Sequence, residues 1–221
     1  MKSLFESPFF GKITRVADFF LVSLLFLLTS LPVITVFLSM TAAYYTMAKM
    51  LRYDAGTSVA GCYFKAFKEN WKQGLLFGVL SVLAGIILYT FVDVANAVGW
   101  HTFYSKFYLV LTVVYGTVVL GVLLNLAAIV SRFRVSALGA VKLAWQFLKQ
   151  KPLRLLTYVI TLIGVILISY ILPPLTLVLP GGYFFSFTYY AEPLLQEYME
   201  EHFPPEAIPG WMREDPETEE G

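Results

Sequence analysis

Thirty consecutive residues, Phe19 to Ala48, carry no charge, and Pro32 stands among them. As one helix the stretch would measure ~45 Å at about 1.5 Å per residue, against a hydrocarbon core of ~30 Å. It is too long for one upright crossing and short for two comfortable ones. Proline biases its predecessor away from helix, so Ser30-Leu31-Pro32 is expected to turn the chain. Composition restricts the class further. The chain is 58% hydrophobic and only 14% charged, whereas soluble domains are nearer a quarter charged. An aromatic content of 17% suits interfacial Tyr and Trp. These features point to an all-α, polytopic transmembrane helix bundle. The start does not read as a cleavable signal, because Glu6 and Asp18 interrupt it and no small-residue cleavage site follows. The single cysteine, Cys62, excludes an intrachain disulfide and a multi-cysteine metal cluster.

Charge segregation sets the expected topology. Charge-free windows cover 19–48, 73–92, 107–131 and 155–191. Lys49, Arg52, Lys65, Lys68 and Lys72 lie between the first two, diluted by Asp54 and Glu69. Arg132, Arg134, Lys142, Lys149, Lys151 and Arg154 lie between the last two without an acid, while the middle connection has only Lys106 beside His101. Basic loops stay in the cytoplasm, so 49–72 and 132–154 are expected inside and roughly 94–106 outside.

A repeat with a shift of seventy-seven residues supports the turn at Pro32. "FKAFKENWKQ" falls on "VKLAWQFLKQ", aligning Lys65, Lys72 and Gln73 with Lys142, Lys149 and Gln150, and Ala60 with Ala137. Residues 32–51 then map onto 109–128, a single crossing, so Pro32 begins a span of its own. The expected spans are about 13–31, 33–51, 74–95, 107–130, 153–172 and 175–191, making 1–191 one transmembrane domain with both termini cytoplasmic. Pro173-Pro174 and Pro180-Gly181-Gly182 interrupt the last window, so its final piece either spans or is re-entrant, which leaves five spans. Residues 192–221 read as an acidic cytoplasmic tail, partly disordered.

Two segments between spans, about 59–72 and 135–150, are amphipathic. Ala60, Phe64, Phe67 and Trp71 share one helical stripe, opposite Lys65, Lys68, Glu69 and Lys72. Leu138, Val141, Trp145 and Leu148 share another, opposite Lys142, Gln146 and Lys149. An aromatic stripe opposite lysines suits a helix lying in the inner interface; the same face would suit a protein partner.

The first third of the chain resembles the YesL-like family of bacterial integral membrane proteins, a family of unknown function. The resemblance rests on Arg15 and Asp18, on Leu31-Pro32 with Thr35, on Ala43-Tyr44-Tyr45, on Arg52 and Gly56, and on "FKAFKEN" from Phe64 to Asn70. It implies the bacterial cytoplasmic membrane, no attached enzymatic activity, and encoding beside carbohydrate ABC importers and two-component regulators. The implied partners are importer permease or sensor-kinase subunits.

No catalytic set is present. H-E-x-x-H, G-x-S-x-G and G-x-x-x-x-G-K-[ST] are missing, and the only histidines are His101 and His202. No EAA-type permease loop is recognisable, and no cofactor, metal or nucleic-acid site is expected. Outside the tail the acids are Glu6, Asp18, Asp54, Glu69 and Asp93. Asp93 ends a span, one turn from Asn96, and reads as helix termination or as a functional carboxylate. Arg15 and Asp18 share a helix face and either pair or anchor a neighbour. Asn125 is expected to hydrogen-bond between helices or to line a polar cavity. Gly74 and Gly78 form a small-residue motif for close helix packing, within or between subunits. The tail holds ten of the fifteen acids and one base, Arg213, a composition of solvated disorder. Three function classes follow: a non-catalytic accessory protein near carbohydrate import, a small-solute transporter built from parallel repeats, and an intramembrane enzyme lacking any visible nucleophile–base pair. The bilayer, a partner subunit and self-association are the expected contacts.

Overall fold

The computed structural model describes residues 8–52, 58–99, 101–133, 135–150 and 152–202, and every regular element among them is helical. α1 (Pro8–Thr29) ends before Pro32, a short 3-10 turn (Val33–Thr35) follows, and α2 (Val36–Met47) runs on as a π-helical segment over Ala48–Arg52. Side chains close the turn: Thr35 Oγ1 donates to the Thr29 carbonyl and Ser30 Oγ to that of Phe26, each at 2.5 Å. α3 (Val59–Glu69) bends at Asn70 into α4 (Trp71–Val98), and α5 (Phe103–Arg132) returns beside it. Gly99, at φ 88°, makes the reversal between these two long helices. α6 (Ala137–Gln150), α7 (Pro152–Ile171), a 3-10 turn (Pro173–Leu177) and α8 (Leu179–His202) complete the order.

α2 is the hub, packing against α1, α3, α4, α5 and α8. Its residues are buried on every side, among them Phe37, Leu38, Ala42, Ala43, Tyr44 and Met47. A helix without a polar face belongs in an interior. Small residues let neighbours approach. A Cβ on Gly74 would meet Leu38 Cδ1 at 2.5 Å, and one on Gly78 would meet the Ile34 carbonyl oxygen. The small-residue motif therefore serves packing within the chain, between α4 and α2 with the turn that precedes it.

Those two contacts also fix a register. Leu38 lies against Gly74 and Ile34 against Gly78, so α2 runs antiparallel to α4 and the Pro32 turn meets α4 in its first half. α4 continues for some twenty residues past Gly78, about 30 Å of helix at ~1.5 Å per residue. A cavity of about 330 Å³ bounded by Met40, Leu120, Ile166, Ser169 and Thr176 sets the α7–α8 connection beside the middle of α5. Both shorter hairpins thus cover one half of the long one. Beyond them α4 and α5 touch mainly each other, through Leu88 against Gly116 and Phe91 against Tyr115. Leu83, Ile86, Ile87, Phe107, Val110, Val113 and Val114 are exposed there.

α8 crosses the expected start of the acidic tail without a break, running from Leu179 through Glu192 to His202. Apolar residues at helical spacing, Phe187, Ala191, Leu194, Leu195 and Met199, keep it seated on the bundle. The remainder of the expected tail, 203–221, lies outside the described residues.

Candidate functional site

α3 and α6 start alike. Ser58 Oγ accepts from the Gly61 amide and Ser136 Oγ from the Gly139 amide, both at 3.2 Å. Each serine satisfies an amide of the first helical turn that has no partner within its own helix. Each helix then packs one apolar stripe inward: Val59, Tyr63 and Ala66 on α3, and Ala140, Leu143, Ala144 and Phe147 on α6. The Tyr63 phenol reaches the α1–α2 turn, 2.6 Å from Thr29 Oγ1, and burial pushes it up to about 12.

The stripes read from the sequence lie beside these inward ones and face largely outward. Phe64 is 44% exposed and Trp71 50%, while Phe67 is half-buried and stacks on Tyr63. On α6, Leu138 is 77% exposed and Trp145 46%, with Val141 exposed as well. Lys65, Lys68, Lys72 and Lys149 are exposed. Lys72 Nζ lies 5.8 Å from the Trp71 ring and Lys149 Nζ 5.6 Å from that of Trp145. The first turn of α4, just past the α3 bend, and α6 therefore each present a tryptophan with a lysine beside it, an apolar body with a charged tip.

The other polar candidates lie apart. Arg15 is exposed and Asp18 half-buried, and among the described residues no ion pair joins them. Asp93 and Asn96 are exposed near the α4–α5 reversal. Asn125 is buried, but its Nδ2 donates to the Gly121 carbonyl of its own helix at 2.9 Å, not to a neighbouring helix.

A buried charge cluster was not legible from spacing. Arg132, at the end of α5, donates through Nη2 to Glu192 Oε1 of α8 at 2.6 Å, with side-chain exposures of 2% and 0%. Tyr44 of α2 donates its hydroxyl to the same oxygen at 2.5 Å. The Arg132 guanidinium also lies 5.7 and 5.5 Å from the Tyr44 and Tyr45 rings. Arg52 donates to the Thr188 carbonyl at 3.3 Å and lies 5.0 Å from the Tyr189 ring. Three helices meet on one carboxylate. Its sequence signal was the apolar spacing that continues past Glu192, against the competing signals of a charge and Pro193.

The arrangement defines an all-helical protein with two helices, Trp71–Val98 and Phe103–Arg132, long and apolar enough to cross a membrane. Residues 19–92 match a family described as protein of unknown function, DUF624. That match spans the second half of α1 through most of α4, including the whole of α2 and α3. No curated protein and no solved structure matches the chain.

Proposed function

We propose that this is a non-catalytic accessory protein of the bacterial cytoplasmic membrane, multi-pass, with both termini inside. Its helices α3 and α6 would form a cytoplasmic docking surface. The observation that carries this reading is the doubled apolar face of those helices. One stripe is packed in the bundle; a second, with Phe64 of α3 and Trp71 just past the bend into α4, or with Leu138, Val141 and Trp145 of α6, stays exposed beside lysines. A helix already anchored by one face has its other free for an interface. Six apolar segments enter the membrane in this account. α4 and α5 cross it fully, and α1, α2, α7 and α8 pack along the half nearer the cytoplasm. The matching serine caps of α3 and α6 support the internal repeat. The partner proposed is a permease or sensor-kinase subunit of carbohydrate ABC import, as the YesL-like resemblance implies.

The test is a mild-detergent pull-down of the tagged native protein with quantitative mass spectrometry, beside a Phe64→Glu/Trp71→Glu variant of equal membrane abundance. Importer or kinase subunits that co-purify with wild type and drop away in the variant support docking. A protein that comes down alone refutes it. The buried Arg132–Glu192 pair favours a second reading, because ionisable groups inside membrane bundles mark solute pathways. That reading is a small-solute transporter, and uptake of labelled sugar by liposomes containing only this protein is its test.

A further inference from the structure

Where α3 bends into α4 and α5 gives way to α6, the two corners enclose a cavity of about 730 Å³. Lys68, Asn70 and Lys72 line it from one corner, and Ser131, Arg132 and Ser136 from the other. Its volume is in the range of small-ligand sites, about 300–1,000 Å³. The corners are tied together, since Gln73 Nε2 donates to the Val135 carbonyl at 2.5 Å. Lys68, Lys72 and Arg132 border the space; Glu192 balances Arg132 from behind, and Glu69 on the wall leaves one positive charge in excess. Arg132 is also the partner of Glu192, so its position is set by the fold. α6 begins at the rim, where the positive end of a helix favours an anion. Two other cavities among the described residues, beside Gly85 and beside Leu120, are lined almost wholly by apolar side chains.

We propose that this cavity binds a phosphate group. Lysines supply compact charge, and hydroxyl and amide groups supply directional contacts to oxygen. Trp71, half-exposed, also lines the space. A cationic floor with an apolar aromatic at its edge fits an anionic phospholipid, whose headgroup enters while its chains lie along the exposed stripes. The lipid source rests on the membrane reading above; the phosphate chemistry does not.

The full chain is purified in detergent and examined by native mass spectrometry with phosphatidylglycerol, with phosphatidylcholine, and with inorganic phosphate as ligand and competitor. Lys68→Gln/Lys72→Gln is compared with Lys65→Gln/Lys142→Gln, which removes the same charge from exposed positions that do not line the cavity. The expected result is retention of phosphatidylglycerol by wild type and by the control, and about tenfold weaker retention by the cavity variant. Binding of inorganic phosphate that displaces the lipid, lost in the same variant, supports the site with a soluble source. Equal retention by the cavity variant and wild type overturns the site. So does an equal loss in the control, or phosphatidylcholine held as firmly as phosphatidylglycerol. The membrane reading fails separately, by release of the wild-type chain from membranes in alkaline carbonate, and the phosphate arm remains decisive in that case.

Discussion

The two halves of the α4–α5 hairpin are similar in composition and opposite in surroundings. In the near half, Gly74, Phe77 and Gly78 of α4 and Leu124 through Val130 of α5 are buried against α2 and its neighbours. In the far half, Leu83, Ile86, Tyr89, Phe107 and Val110 are exposed, and a Cβ on Gly85 would meet nothing within 4 Å. Only 11% of the most apolar window of either helix is buried. Apolar side chains in the near half are held by shape, through close approaches that only glycine permits. Those in the far half require an apolar surrounding, which the proposed bilayer supplies.

The largest expected effect comes from the charge cluster at the base of the near half. Glu192→Ala strands the Arg132 guanidinium in a buried site, and removing one partner of a buried pair costs about 3–5 kcal/mol. Unfolding in mild detergent should show that loss, and a change within error would mean the cluster is solvated. Next comes Gly78→Ala, whose new methyl meets the Ile34 carbonyl oxygen; overpacking of this kind costs roughly 1–3 kcal/mol. Gly85→Ala, with nothing within 4 Å of its Cβ, should be neutral or slightly stabilising because alanine is the better helix former. Equal effects at both glycines would erase the contrast between the halves.

A smaller effect is expected at the α1–α2 turn. Tyr63→Phe removes the hydroxyl shared with Thr29, worth about 1 kcal/mol. Burial raises the folded phenol to about 12, above an unfolded value of about 10. The neutral phenol is thus favoured by folding. Its contribution is complete below pH ~10 and is lost as pH rises toward about 12, so the advantage of wild type over Tyr63→Phe should shrink above pH ~10 and reverse before about 12, because the rise from about 10 to about 12 outweighs one hydrogen bond. The smallest effect belongs to the far half. Leu83→Ala, at a half-exposed site, should change stability by less than about 0.5 kcal/mol, and a loss near 2 kcal/mol would indicate a protein surface over that face.

Much of the fold could be read from residues. The helical class follows from apolar windows of span length, and the helix break around Pro32 from proline's effect on Leu31. The amphipathic segments about 59–72 and 135–150 followed from apolar spacing opposite lysines, although the first bends at Asn70 into α4. The orientation of those helices did not. Each carries two adjacent apolar stripes, and hydropathy ranks Phe64 and Trp71 with Tyr63 although only Tyr63 has a hydroxyl to satisfy inside. Asn125 could be identified as a buried amide, but a bond back to Gly121 and a bond to another helix have the same sequence signature. Glu192 was assigned to the tail because ten of the fifteen acids lie from that residue onward. Its partners Tyr44 and Arg132 lie 148 and 60 residues away, a separation no local pattern spans.

The central claim is that α4 and α5 cross a membrane and leave α3 and α6 on its inner side. Single cysteines at Lys106 and at Lys142, each in a Cys62→Ala background, test it directly by labelling intact cells with a membrane-impermeant maleimide. The account predicts labelling of Lys106→Cys in intact cells, and of Lys142→Cys only after the cells are opened. Labelling of both from the same side would contradict it.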